Sequence, residues 1–277
     1  MPLPNDQPPA SSAIHEHNCR AWDQFAINQK RFTKPISNKD FTEALKLLDA
    51  DGWFEGRISG SALLCLGSGG GRQSVLYAAA GAEVTVVDIS AEMLAIDRIA
   101  AEQRKLHVNT VQTSIDDLSP LATSSFDIVV HPVSTCYVPD VVAVYRNVAR
   151  VTTPGGLYIS QHKQPGSLQA AVNSSATGYE LTEPYYRTGP LPEVADSPHR
   201  EEGTMEFLHR WQELIGGLCG CGFVIEDLVE PFHAKHDAKN DSFAHRSLFA
   251  PPYVRIKARR VKSNPQHDNP EKFWTPD

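Results

Sequence analysis

The stretch that most limits what this chain can become runs from Ala62 to Asp88. Apolar residues Ala62 to Leu66 lead into Gly67-Ser68-Gly69-Gly70-Gly71, a helical pattern follows to Gly81, and a second apolar run, Glu83 to Val87, ends on Asp88. A strand, a glycine turn, a helix and a parallel strand closing on a carboxylate form the opening unit of a doubly wound α/β sheet. The glycines let a backbone approach a ligand closely, and the amides at the start of the following helix point at it. A bare G-x-G-x-G is equally compatible with a tight turn. Asp88 raises the specificity, because a carboxylate at the end of the second strand can accept hydrogen bonds from both hydroxyls of a ribose. Nicotinamide or flavin dinucleotides and S-adenosylmethionine share that half-site.

The rest of the chain extends the same rhythm. Strands are expected over Asn109–Gln112, Phe126–His131, Leu157–Gln161, Phe223–Leu228 and Tyr253–Arg259, with helices over Arg72–Ala80, Ala91–Arg104, Val138–Val151 and from Leu208 to about Gly220. Thr153-Pro154-Gly155-Gly156 reads as the turn before the fifth strand. Two helices, over His15–Gln29 and Phe41–Leu48, precede the sheet. The Pro-rich start and the polar end read as loose tails, so the expected organisation is a tail over 1–14, one domain over 15–262 and a tail over 263–277. Within the domain, 15–57 is a helical cap. Residues 163–203, rich in Pro and Ser and carrying Tyr179, Tyr185 and Tyr186, form a lid-like insert.

Composition trims the functional options. The 277 residues carry 33 acidic and 26 basic side chains, a formal charge of −7, which disfavours long nucleic acid as a partner. No apolar run approaches the roughly 18 to 20 residues of a membrane span, and the start lacks a basic region before an apolar stretch, so a cytoplasmic location and no membrane partner are expected. Five scattered cysteines fit a reducing compartment. Cys219-Gly220-Cys221 and His233-x-x-His236 lack the four-ligand spacing of structural zinc, so no metal is expected, although the cysteine pair keeps arsenite as an outlying acceptor.

The run Leu63-Leu64-Cys65-Leu66 with Gly67 to Gly71, then Val84-Thr85-Val86-Val87-Asp88-Ile89-Ser90 with Met93-Leu94, then Phe126-Asp127-Ile128-Val129-Val130, then Pro154-Gly155-Gly156, resembles the ordered motifs of class I S-adenosylmethionine-dependent methyltransferases. Among these it is similar to the small-molecule branch that includes quinone-biosynthesis enzymes. The resemblance implies a Rossmann-like three-layer α/β sandwich whose seven-stranded, mostly parallel sheet has the order 3-2-1-4-5-7-6 with strand seven antiparallel. It also implies S-adenosylmethionine as cofactor, with S-adenosylhomocysteine as product, and a small-molecule methyl acceptor. Carried over by position, Gly67, Ser68, Gly69 and Gly71 would cradle the methionine moiety, Asp88 the ribose, Ile89 and Met93 the adenine faces, and Ser114, Ile115 and Asp116 its edge. Met93 has an alternative as a packing residue. Cys65 stands where the family usually has an acid that helps hold the methionine amino group, and Ser114 where an Asp is common.

Methyl transfer from a sulfonium is an in-line displacement, so positioning dominates, and a base is needed only when the acceptor must lose a proton. His131 and His162, at the ends of strands four and five, are the titratable candidates for catalysis, each with an alternative structural role. Tyr137, Tyr185 and Tyr186 are the candidate acceptor walls, while Trp22 and Phe32 are packing residues first and a cover over the cofactor second. The rivals are an NAD(P)-dependent oxidoreductase, which would lack the antiparallel seventh strand, and a non-catalytic protein that binds S-adenosylmethionine. The acceptor, the methylated atom and the oligomeric state leave no motif.

Overall fold

The computed structural model describes residues 10–195 and 197–261. Helices α1 (Ser11–Ile27) and α2 (Asn38–Lys46) precede β1 (Ala62–Leu66), α3 (Ser74–Ala79), β2 (Glu83–Asp88), α4 (Ala91–Glu102), β3 (Val108–Gln112) and β4 (Phe126–His131). Then come α5 (Val141–Val151), β5 (Thr152–Lys163), α6 (Pro165–Gln169), a π-helical turn Gln212–Gly216 running into α7 (Gly217–Gly220), β6 (Phe223–Val229), α8 (Phe243–Arg246) and β7 (Tyr253–Arg260). The seven strands form one sheet in the order β3-β2-β1-β4-β5-β7-β6. The first five pair in parallel, and β7 lies antiparallel between β5 and β6. This is the Rossmann-like methyltransferase arrangement, and the antiparallel β7 separates it from the dinucleotide-binding oxidoreductase topology.

Apolar runs on β1, β4 and β5 are buried on both faces. Leu63 and Cys65 face a core completed by Val75, Leu94, Trp53 and Phe54, while Leu64 and Leu66 face one completed by Val144, Tyr145, Val148 and Leu218. Helix α4 starts where Ser90 Oγ accepts the Met93 amide at 3.0 Å, and α5 where Asp140 accepts from Val142 and Ala143. On β7, Val254, Ile256 and Ala258 are fully buried, while the alternating basic residues reach acids rather than extending past helices into water. Arg255 pairs with Asp51 at 2.6 Å, Lys257 with Glu55 at 2.6 Å and Glu226 at 3.1 Å, and Arg259 also joins Glu55 and Glu226.

Several expected boundaries move for identifiable reasons. Helix α1 begins at Ser11, inside the expected tail, because Ile14 is fully buried. Of the expected C-terminal tail, 263–277 lies outside the described residues. Helix α5 starts at Val141, with a single 3₁₀ turn over Thr135–Tyr137 ahead of it. The helix expected from Leu208 starts after Trp211. Strand β5 begins at Thr152, so the Thr-Pro-Gly-Gly turn is instead a bulge within the strand. Phe126 pairs with Thr152 and Ile128 with Leu157, and Gly155 supplies φ 83°.

Candidate functional site

A cavity of about 480 Å³ opens along the carboxyl ends of the strands. Following the strand order, it touches Asp88 and Ile89 after β2, Gly67 to Gly69 after β1, Pro132 to Ser134 after β4, Gln161 on β5 and Tyr253 on β7. His15, Asn18 and Trp22 of α1 cover it, together with Arg31 and Phe32 just beyond.

Polar contacts at both ends hold α1 in place. Asp23 Oδ1 accepts Ser90 Oγ at 2.6 Å, Cys19 Sγ donates to Ile89 O at 3.2 Å, and His15 Nε2 meets Asp116 Oδ1 at 2.9 Å. On the other side, buried Asn18 donates to Tyr137 O at 2.9 Å and Met205 O at 3.1 Å, and its Oδ1 accepts from the Met205 amide at 2.8 Å. Every polar atom of that side chain is used, as a buried amide requires.

The glycine loop has no spare volume. A Cβ on Gly69 would lie 2.6 Å from Met93 Cβ and 2.8 Å from Asp88 Oδ2, and one on Gly67 would meet Ser134 Oγ at 2.5 Å. Asp88 accepts the Gly69 amide at 3.1 Å and the Ser90 amide at 2.9 Å. Burial pushes its carboxyl up to about 6, against the opposing pull of those amides. Behind the loop, fully buried Asp97 of α4 accepts from the Gly70 amide at 3.0 Å and from Ser74 Oγ, and burial raises it to about 7. Ser68 Oγ and Gln73 Oε1, both of residues lining the cavity, are buried without a hydrogen-bond partner. Native interiors rarely leave such atoms unsatisfied, and both belong to residues of the cavity wall.

Of the residues singled out in the sequence, Gly67, Ser68, Gly69, Asp88, Ile89, Met93, Ser114, Ile115 and Tyr137 line this one cavity. Gly71 does not, since it packs beside Ala100 and Pro35. Asp116 sits behind Ser114, whose hydroxyl it accepts, and is engaged by His15. Trp22 and Phe32 also line the cavity. Cys65 is fully buried in the core, where burial pushes its thiol up, and it reaches no cavity wall.

The two candidate catalytic histidines lie outside the cavity wall. His131 spans Tyr158 Oη at 2.8 Å and Ser134 Oγ at 2.7 Å, and burial lowers it to about 3. His162 is held between Thr135 Oγ1 at 2.9 Å and Ser160 Oγ at 2.8 Å, and burial drives it well below the usual histidine range. Both rings are therefore neutral members of the β4–β5 core. Tyr185 packs against Leu168, Leu191 and Leu208, and Tyr186 is 74% exposed beside a separate small hollow, so neither reaches the cavity. Among the described residues of the expected lid, the one that does is Glu201.

Glu201, Asn18, Gln73, Asp97 and Phe243 were not singled out in the sequence, and Tyr253 was read there only as the start of the seventh strand. Gln73 follows directly on the glycine run and could have been found there; Glu201 lies in a loop with no periodicity to mark it. Among the described residues, no cluster of three His, Cys, Asp or Glu could hold a metal, and no helix is long and apolar enough to cross a membrane.

Comparison with known proteins matches this geometry. A family model described as a methyltransferase domain fits residues 64–160. Over 234 residues the chain is 32% identical to Uncharacterized methyltransferase YbaJ of Bacillus subtilis (strain 168), covering 79% of this chain and 91% of that protein. It is 30% identical over 168 residues to a ubiquinone biosynthesis O-methyltransferase of Xanthomonas oryzae pv. oryzae (strain PXO99A), covering 59% and 69% of the two chains. The crystal structure of an S-adenosylmethionine-dependent methyltransferase from Mesorhizobium loti superposes with a TM-score of 0.60 at 24% identity, covering 77% of this chain and all of that one. With a glycine loop too tight for a side chain, a carboxylate ending β2 and relatives of this kind, the chain belongs to the class I S-adenosylmethionine-dependent methyltransferases.

Proposed function

We propose that this protein methylates a small, largely apolar molecule held between the glycine loop and an aromatic wall made by Trp22, Phe243 and Tyr253. The observation that carries this reading is the shape of the cavity. It is continuous from Asp88 to Tyr253 and covered by α1, which leaves room for a cofactor and a modest acceptor but not for a folded macromolecule. The ubiquinone-biosynthesis relative is named for a small-molecule pathway, which agrees with that size. The scattered free cysteines support a cytoplasmic location.

In this reading, Gly67 to Gly69 admit the methionine portion of the cofactor, and Ser68 Oγ and Gln73 Oε1 gain the polar partners they lack. Gln73 then does the work that the acid in place of Cys65 does elsewhere. Asp88 accepts from the ribose hydroxyls, and Ile89, Met93, Ser114 and Ile115 enclose the base, with Asp116 and His15 fixing Ser114 from behind. The bound cofactor supplies a methyl group on a positively charged sulfur. The protein's contribution is to align the acceptor with that carbon and exclude water, for which α1 and the residues after it are placed.

Calorimetry tests the reading directly: S-adenosylhomocysteine should bind and NAD should not. Mass spectrometry of the purified protein should then show a co-purifying adenosine thioether. Binding of NAD without S-adenosylhomocysteine would reverse the assignment.

A further inference from the structure

Among the described residues, the carboxylates lining the cavity are Asp88 and Glu201. The first is committed to the cofactor end, so the second needs its own explanation. Tyr137 Oη donates to Glu201 Oε2 at 2.7 Å, and Lys163 Nζ donates to the same oxygen at 2.7 Å. Lys163 also reaches Glu206 Oε1 at 2.8 Å, whose other oxygen accepts from Arg200 Nε at 2.7 Å. The two cations and two carboxylates alternate, and all four side chains are largely buried. Such a buried network is a poor device for stability, because apolar packing of similar volume serves as well. What it does achieve is an ionised carboxylate at the cavity wall, hydrogen-bonded to a phenol on the same wall.

Burial would raise the Glu201 carboxyl, but the Lys163 charge and hydrogen bond prevail and hold it below the usual carboxylate range. Tyr137 is pushed upward by burial and by Glu201, so it keeps its proton. A phenol that donates to a carboxylate has oxygen lone pairs left to accept from a third group.

On the basis of the function proposed above, we infer that Tyr137 and Glu201 are a proton relay for an acceptor hydroxyl, and that the substrate class is a small apolar phenol or enol. The acceptor oxygen forms its bond to the methyl carbon as the carbon–sulfur bond breaks, with that bond's electron pair staying on sulfur. The hydroxyl proton passes to the Tyr137 oxygen while the Tyr137 proton passes to Glu201 Oε2. The products are a neutral ether, a neutral thioether, a neutral tyrosine and a protonated Glu201. A weak base suffices, because an oxygen that has begun to bond to methyl is far more acidic than the free hydroxyl. The class is a hydroxyl rather than an amine because Lys163 already occupies Glu201, with Nζ 5.8 Å from the Tyr137 ring centre, and the positive charge that an amine nitrogen gains as it bonds to methyl would develop beside that like charge.

The test uses the full chain with S-adenosylmethionine and a panel of para-alkylphenols beside matched anilines, with methylated products read by mass spectrometry. The relay requires methyl ethers from the phenols in preference to methylated anilines. Both Glu201→Gln and Tyr137→Phe should lower kcat roughly a hundredfold or more while S-adenosylhomocysteine affinity stays unchanged. The acid limb of kcat should lie below the usual carboxylate range. Tyr137→Phe leaves the Glu201–Lys163 pair intact, so it remains informative if Glu201→Gln folds poorly. Preference for anilines, an unchanged kcat in Tyr137→Phe, or no methyl ether from any phenol would overturn the relay. Loss of S-adenosylhomocysteine binding by the unaltered protein would instead remove the function on which it rests.

Discussion

The two ends of the cavity are built by different means. At the end proposed for the cofactor, the walls are backbone and a few side chains from β1, β2 and the segments that directly follow β1, β2 and β3. Gly67 and Gly69 leave no room for a Cβ, and Asp88 takes amides from Gly69 and Ser90. At the end proposed for the acceptor, residues as distant in sequence as Asn18, Tyr137, Lys163, Glu201 and Glu206 are held together by side-chain hydrogen bonds and ion pairs. A ligand common to a whole family can be met by local backbone geometry. A ligand particular to one member is met by side chains that can change without disturbing the sheet.

The comparison is broken most forcefully at Lys163. Lys163→Met leaves Glu201 and Glu206 facing each other with only Arg200 as a cation and should cost about 3 to 5 kcal/mol in urea unfolding. The same variant should shift the acid limb of any activity upward, because burial would then act on Glu201 without the opposing charge. If stability and pH profile were both unchanged, the acceptor end would not depend on its ionic network.

Asp88→Ala probes the other end and should weaken S-adenosylhomocysteine binding by about 1.5 to 3 kcal/mol, with some loss of thermal stability because the Gly69 and Ser90 amides lose their acceptor. In the unaltered protein, affinity should fall as pH drops through about 6, since protonating Asp88 replaces an accepting oxygen with a donor. Calorimetry across that range reads both effects.

Asp97 sharpens the contrast from behind the glycine loop. Its carboxyl lies near 7 when folded and near the ordinary aspartate range when unfolded. Between about pH 4 and 7 the folded state therefore holds the extra proton, and stability from this group is lost as pH rises, by up to about 1.4 kcal/mol per unit. Asp97→Asn should remove that slope, so unfolding of the variant and the parent should diverge from pH 5 to 7 and run parallel above.

The smallest effect is expected at Tyr186, which is mostly exposed and away from the cavity. Tyr186→Ala should change stability by no more than about 0.5 kcal/mol and leave methyl transfer unaltered. A marked loss of acceptor turnover would mean that residues 163–203 close over the cavity with Tyr186 inward, as the position of this segment after β5 first suggested.

Sequence brought residues to the cavity wall where one residue's placement depends on its immediate neighbours. Gly67, Asp88 and Met93 owe their places there to local patterns: a turn after a strand, a carboxylate at a strand end, a helix opening. His131 and His162 misled because a strand's carboxyl end indicates proximity to the cavity but not direction. Side chains alternate across a strand, and both rings point into the layer shared with Tyr145 and Tyr158. Tyr185 and Tyr186 misled for a related reason, since an irregular segment has no period from which to infer which side chains face inward.

What the sequence determined by itself is the sheet and the half of the cavity formed by the glycine turn and Asp88. Hydrophobic period, helix caps and glycine turns act over a few residues, and the crossover rule leaves few ways to arrange the resulting units. Tertiary structure alone decided the acceptor half. The Lys163–Glu201–Glu206–Arg200 network and the Asn18 bridge from α1 exist only once segments far apart in the chain have packed, and charges buried among such segments require partners that no local pattern announces.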